Sequence, residues 1–188
     1  DGLIAINLKE GDRLISVTRI MPNDKAMMVS SAGKSIMWET SEIRSMGRGT
    51  QGVRGMSLTP GAKVLGMEVA KNGCDLLVIT ENGYGKRTNL EQYPIQHRGG
   101  KGVNTITMTE KKGQLAAMRV VFESEEIFIV TEAGIVVKTP VKGISCLGRA
   151  TQGVRIMNVD TNDKVTAIAI SAEDEKKEKE PNLFDDNK

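Results

Sequence analysis

Arg48-Gly-Thr-Gln-Gly-Val53, Arg98-Gly-Gly-Lys-Gly-Val103 and Arg149-Ala-Thr-Gln-Gly-Val154 are three versions of one loop, 50 and 51 residues apart. Two further features keep that register. An apolar run, a turn and a second run recur as MMVSSAGKSIMW, LLVITENGYGKRT and IFIVTEAGIVVKT, with turn glycines Gly33, Gly83 and Gly134. RLISVTRI, KVLGMEVA, QLAAMRVV and KVTAIAIS form the third series, in which Val17, Met67, Met118 and Ile168 correspond. Three features in one phase identify an internal repeat, and a repeat of this length is a unit that must bury its faces against its neighbours.

Each unit reads as β structure. The apolar runs last about 4–8 residues, are rich in Val, Ile and Thr, and are bounded by Gly, Asn, Asp and Pro. A glycine at one fixed turn position predicts a left-handed backbone in a tight hairpin. No long segment has helical periodicity; Ser41 to Ser45 predicts at most one turn. The fold class expected is all-β: four-stranded, propeller-like blades of about 50 residues. Residues 1–170 hold about 3.4 repeats, fewer than the roughly 4–8 blades that close a ring. Gly2-Leu3 lines up with Gly52-Val53, so the expectation is a partial ring with blades missing on its N-terminal side.

Residues 171–188 differ in composition. Seven acids and four lysines give this tail a charge of −3, which leaves +5 on the rest of a chain whose formal net charge is +2. So polar a segment is expected to be disordered.

Position says more than total charge. No acid occurs between Glu42 and Glu68, where Arg44, Arg48, Arg54 and Lys63 lie. None occurs between Glu91 and Glu110, which holds His97, Arg98 and Lys101, or between Glu132 and Asp160, which holds Lys138, Lys142, Arg149 and Arg155. These windows recur in phase with the repeat. In a ring of blades one phase means one edge, so they predict a curved basic stripe suited to a polyanion. Gly99, Gly100 and Gly102 let backbone N–H groups approach phosphates that Arg98 and Lys101 attract. Aromatic residues make up only 3% of the chain, which favours duplex over single-stranded nucleic acid, because single-strand binders stack bases on rings.

Other chemistries find no support. Gly47-Arg-Gly-Thr-Gln-Gly52 matches a dinucleotide fingerprint, but a strand-like run follows it instead of a helix. Gly33-Lys34-Ser35 lacks the earlier glycine of a phosphate-binding P-loop, Met28 standing in its place. His97 is the only histidine and has no evident acidic orienter in the sequence; Cys74 and Cys146 lie far apart. No catalytic residue, metal site or cofactor is expected. No apolar run approaches the roughly 20 residues that span a bilayer, and no secretory signal is present. A cytoplasmic setting fits.

Gln96-His-Arg-Gly-Gly-Lys-Gly102 resembles the gyrase A box, Q-[RK]-R-G-G-[RK]-G, with His97 the one departure. Thr80-Glu-Asn-Gly-Tyr-Gly-Lys-Arg-Thr88 and Met46-Gly-Arg-Gly-Thr-Gln-Gly-Val53 are similar to further hallmarks of the same family, the C-terminal DNA-wrapping domains of gyrase A. The resemblance implies a β-pinwheel, in which neighbouring blades exchange strands and a basic rim wraps duplex DNA. It also implies partners, namely the rest of gyrase A and the gyrase B protein, and a bacterial, nucleoid-associated role in ATP-dependent negative supercoiling. In the family the full box lies in the first blade; here the similar loop lies in a late one. The DNA-contacting residues expected are Arg44, Arg48, Arg54, Lys86, Arg87, Arg98, Lys101, Lys138, Lys142, Arg149 and Arg155, with Gln96, His97, Arg98, Gly99, Gly100, Lys101 and Gly102 forming the box-like loop. The alternatives are the C-terminal blades found in the corresponding protein of topoisomerase IV and a propeller-like scaffold that binds proteins.

The tail generates a first prediction. A mostly acidic segment tethered to a basic body competes with DNA phosphates at a millimolar-range effective concentration. Deleting residues 171–188 should tighten duplex binding about threefold at low salt, and the gain should fade as screening increases. Titrations of both proteins at two salt concentrations check this, and equal affinities at low salt would remove the tail from the interface.

Overall fold

The computed structural model describes residues 2–171. The charged tail expected at 171–188 therefore lies, but for its first residue, outside the described residues. Eleven strands follow in order: β1 (Lys25–Ser30), β2 (Lys34–Glu39), β3 (Val64–Ala70), β4 (Asp75–Thr80), β5 (Tyr84–Asn89), β6 (Val103–Asn104), β7 (Leu115–Val121), β8 (Glu126–Thr131), β9 (Val136–Pro140), β10 (Val154–Arg155) and β11 (Val165–Ile170). Four single 3-10 turns are the only helical pieces among the described residues, and no helix there is long and apolar enough to cross a membrane.

The strands form three antiparallel sheets in the orders β3-β1-β2-β6, β7-β4-β5-β10 and β11-β8-β9. A hairpin is the centre of each. Its turn has as its third residue Gly33, Gly83 or Gly134, at φ +76°, +78° and +85°; the first two turns end there, and the third runs one residue further, to Ile135. Each of these glycines donates its N–H to the last residue of the first strand: Ser30, Thr80 and Thr131. This is the expected left-handed turn position.

The two flanking strands come from different places. On one side lies a strand from the same repeat, β3, β7 or β11. On the other lies a two-residue strand from the next repeat: Val103 and Asn104 pair with Ser35 and Lys34, and Val154 and Arg155 pair with Gly85 and Tyr84. Neighbouring blades thus exchange strands.

The core consists of the layers between sheets. Along β4 the side chains alternate: Leu76 and Val78 meet Met27, Val29 and Met37 of the first sheet, and Leu77 and Ile79 meet Ile127 and Ile129 of the third. β4 is consequently buried at every residue, whereas β8, with a sheet on one side only, alternates between buried and half-buried. The inner strands β3, β7 and β11 converge with residues 15–19 on one cavity of about 620 Å³. Arg119 ties them together through Glu68 (2.5 Å) and the carbonyl of Ile168 (3.1 Å).

One expected strand is absent. Arg13–Ile20, the counterpart of β3, β7 and β11, forms no strand, and Val17 is 85% exposed. Its counterparts each pair with the hairpin of their own repeat. For Arg13–Ile20 that hairpin does not fall within the 188 residues, so the segment has no edge to join and holds on by Thr18 Oγ1 donating to the Met67 carbonyl at 3.1 Å.

The exchanged strands dictate a glycine just before them. Gly102 has φ +69°, and a Cβ there would lie 2.3 Å from the Ser35 carbonyl oxygen. Gly52 has nearly the same φ, +75°, but only Ile6 Cδ1 nearby, at 3.9 Å. Gly52→Ala should cost about 1–2 kcal/mol for the left-handed backbone alone, and Gly102→Ala about 2–4 kcal/mol once the backbone collision is added. Urea unfolding of the two variants tests the difference; equal losses would show that the close approach at Gly102 carries no energy.

Candidate nucleic-acid interface

Two of the Gly-rich loops, at Arg98 and Arg149, are excursions between two fixed points on one strand. After β2 and β5 the chain makes a single 3-10 turn, Thr40–Glu42 and Leu90–Gln92; a third, Val141–Gly143, follows β9. The segment after each of the last two turns lands on the preceding blade. Ile95 bridges Met37 in parallel and Gln96 N–H donates to the Met37 carbonyl at 2.8 Å; Cys146 bridges Arg87 and Leu147 N–H donates to the Arg87 carbonyl at 2.9 Å. The chain then loops out and returns to the same strand as β6 or β10. These two loops therefore stand on the outermost edge of their sheets, opposite the inner strands.

Consecutive loops are linked by one repeated pair of hydrogen bonds. Asn7 donates from its N–H to Thr50 O and from its side chain to Gly49 O, at 3.1 and 2.9 Å. Ser57 does the same to Gly100 and Gly99, at 2.8 and 2.9 Å. Thr107 does the same to Thr151 and Ala150, at 3.0 and 2.8 Å. Each loop is docked on the segment that leaves the loop before it, so the loops at Arg48, Arg98 and Arg149 form one row.

The expected contact residues divide into four groups. Arg44, Arg48, Arg54, Lys101, Lys142 and Arg155 are exposed, and Arg149 is half-buried. Arg149 lies over the Tyr93 ring, 5.9 Å from its centre, and Arg155 lies over Tyr84 at 4.6 Å while bonding to its hydroxyl. Lys138 is exposed on β9, the outer edge strand of the third sheet, and pairs with Glu126 at 2.7 Å.

Lys86 and Arg87 correct the expectation. Both are buried and face the interior instead of DNA. They lie on β5, whose two faces are covered by the neighbouring blades and whose edge is covered by the returning loop. Arg87 is clamped by Asp75 at 2.6 Å, Glu123 at 2.5 Å and the Ile144 carbonyl at 2.9 Å. Burial pulls its guanidinium down, and the two carboxylates outweigh that and hold it above its ordinary value. Lys86 lies beneath the third loop and donates to the carbonyls of Gly148 and Arg149 and to Thr151 Oγ1.

The box-like loop is less free of acids than the sequence suggests. Glu42 accepts the Arg98 N–H at 3.1 Å and lies 3.4 Å from His97 Nδ1, so His97 does have a carboxylate beside it. The Arg98 guanidinium turns inward, to the carbonyls of Glu42 (3.4 Å) and Arg54 (3.2 Å). The equivalent of Glu42 in the next blade is the neutral Gln92, beside Gly148. Lys101 is therefore the side chain this loop presents outward.

Lys34 and Lys112 belong to the rim although the sequence did not single them out. Lys34, bonded to Asn104 Oδ1 at 2.9 Å, shares a cleft of about 600 Å³ with Arg149 and Thr151. Lys112 reaches the carbonyls of Gln152 and Gly153, at 2.9 and 3.2 Å. Lys34 is replaced by Tyr84 and Ile135 in the other repeats, and Lys112 follows Glu110, so neither recurs in an acid-free window.

The family model described as DNA gyrase C-terminal domain, beta-propeller, matches residues 1–21, 24–71, 75–121 and 125–172, each later segment running from a hairpin to its inner strand. The DNA gyrase A protein of Mycobacterium bovis is 38% identical over 175 residues, covering 92% of this chain and 21% of that protein. Its Staphylococcus epidermidis counterpart is 39% identical over 178 residues, covering 93% and 20%. The chain thus spans about a fifth of the length of the curated relatives it matches. A solved DNA gyrase A C-terminal domain superposes with a TM-score of 0.85 at 28% identity, covering 90% of this chain and 58% of that one. The C-terminal domain of DNA topoisomerase IV superposes at 0.83 with 21% identity, covering 88% and 52%, a likeness of fold.

The reassignment of Arg87 is testable. Arg87→Ala leaves the buried Asp75 without its partner and should lower the unfolding free energy by about 3–5 kcal/mol. Urea denaturation measures it. A loss under about 1 kcal/mol, the range of an exposed ion pair, would return Arg87 to the surface set.

Proposed function

The chain belongs to the DNA gyrase C-terminal domain family, and from that membership we propose that it binds duplex DNA along the row of loops without reading its sequence. The observation that carries this is the repeated hydrogen-bond pair, which turns three separate loops into one basic track. A curved track of arginines, lysines and loop N–H groups contacts phosphates, and such contacts position a duplex while carrying no base information. The rim offers no stacking platform of the kind single strands use: Tyr93 is buried and Tyr84 is occupied by Lys112 and Arg155.

The same reading extends to the intact enzyme. The chain acts as a non-catalytic, DNA-wrapping part of an ATP-dependent type IIA topoisomerase in the bacterial cytoplasm, associated with the nucleoid. It presents the duplex to the core formed by the rest of gyrase A and by gyrase B. Neither tyrosine of this chain serves as a nucleophile; both support arginines. Gyrase is favoured over topoisomerase IV because the relatives at 38–39% identity are gyrase A proteins. The body, residues 1–170, carries the track, and the tail, residues 171–188, competes with DNA for it. No cofactor is required for binding of this kind.

Salt dependence distinguishes a DNA wrapper from a protein scaffold. Each phosphate contact removed from Arg48, Lys101, Arg149 and Arg155 should flatten the slope of log K against log salt by about 0.9. Arg98→Gln, whose guanidinium is committed to carbonyls, should leave the slope nearly unchanged. Duplex titrations across a salt series check both, and an unchanged slope in the quadruple variant would overturn the track.

A further inference from the structure

The second and third loops of the row rest on different chemistry. Under the Gln96–Gly102 loop lies Ile36, whose Cδ1 would sit 3.3 Å from a Cβ on Gly100. The equivalent residue under the Gly148–Gly153 loop is Lys86, at 0% exposure. Its ammonium has three donors, and all three are used on that one loop: the Gly148 carbonyl, the Arg149 carbonyl at 2.9 Å and Thr151 Oγ1 at 3.1 Å. No carboxylate pairs with it among the described residues. A buried charge with only neutral acceptors is costly to keep, and an aliphatic residue at this position, as in the first repeat, avoids that cost.

We propose that Lys86 is a positioning residue for DNA binding: its ammonium fixes the Gly148–Thr151 backbone in the shape that presents Arg149 at the rim. This rests on the duplex-binding reading above. Deprotonation removes one of the three donors and the charge that strengthens the others, so it loosens this loop and leaves the Ile36-supported loop unaffected. Burial, with the Arg149 guanidinium adding to it, lowers Lys86 from 10.5 to about 8, against the pull of Cys146. Arg149 and Cys146 are the charged or titratable groups that face it from the packed segments; across the hairpin it pairs with Val78.

The sign of the linkage gives a distinctive signature. Between about 8 and 10.5 the unfolded chain retains a proton that the folded chain has shed. Unfolding free energy therefore rises with pH through that window, as the cost of the buried charge is relieved. Loop order should fall over the same range. Global stability and local order move in opposite directions, which a lysine that merely fills space would not produce.

The test is amide hydrogen exchange in the free 188-residue chain with Cys146→Ser, comparing residues 149–153 with residues 98–102 from pH 7 to pH 9. Base catalysis accelerates both loops alike, so the ratio reports the loop. The ratio should rise about fivefold, the worth of about one hydrogen bond, and duplex affinity should weaken by a similar factor. In Lys86→Ile, which copies the first repeat, the ratio should already be raised at pH 7 and should not change with pH. A constant ratio in the parent chain overturns the proposal whether or not the variant folds. Unaltered duplex affinity in a folded Lys86→Ile overturns it as well. Absence of duplex binding by the parent chain would instead overturn the proposed function, while the exchange ratio still decides whether Lys86 holds the loop.

Discussion

The outermost strand of each complete sheet belongs to the repeat that follows it, and most of the structure depends on this exchange. Two residues, Val103 and Asn104, close the first sheet, and Val154 and Arg155 close the second. So short a strand is held less by its own ladder than by what flanks it. Before it stands a glycine with positive φ against a carbonyl, and after it the chain runs over the hairpin turn, where Ile106 and Met157 N–H groups donate to the Gly33 and Gly83 carbonyls at 3.5 and 3.3 Å. The loop is thus registered to the preceding blade, and the basic residues on it inherit that register. The third hairpin shows the same edge without an exchanged strand: β9 alternates between exposed and half-buried and carries Lys138 and Pro140, residue types that discourage edge-to-edge pairing.

The repeat was legible because its markers are enforced by backbone geometry. Gly33, Gly83 and Gly134 occupy a turn position with φ between +76° and +85°, and hairpin strands show themselves as apolar runs. Strand exchange itself could not be read from composition or spacing, because two-residue strands have no periodicity; only family resemblance implied it. The candidate site was legible as a row of loops but not residue by residue. Lys86 and Arg87 sit in a polar-looking stretch, and what buries them is distant in sequence: Glu123 is 36 residues from Arg87, and Gly148 is 62 from Lys86. Glu42, 56 residues before Arg98, spoils an acid-free window that is real only along the chain. Acid-free spacing predicts which edge is basic; it does not predict which side chain on that edge remains unneutralised.

The arginines explain how the molecule concentrates positive charge at its rim without losing control of the side chains that carry it. Near the inner cavity, Arg119 meets Glu68 at 2.5 Å. In the middle of the second blade, Arg87 meets Asp75 and Glu123. In both cases a carboxylate fixes the guanidinium and cancels its charge. At the outer edge the anchors change. Arg149 lies over Tyr93, and Arg155 lies over Tyr84 and bonds its hydroxyl. An aromatic face orients a guanidinium through its quadrupole and removes none of its net charge. For these four arginines the partners therefore change from acids to rings, from the inner strands outward, and less of their charge is cancelled in the same direction. Aromatic residues are only 3% of this chain, and two of the few present serve this purpose. Their placement matters more than their number: at this rim two tyrosines orient two arginines and leave the charge of both unneutralised.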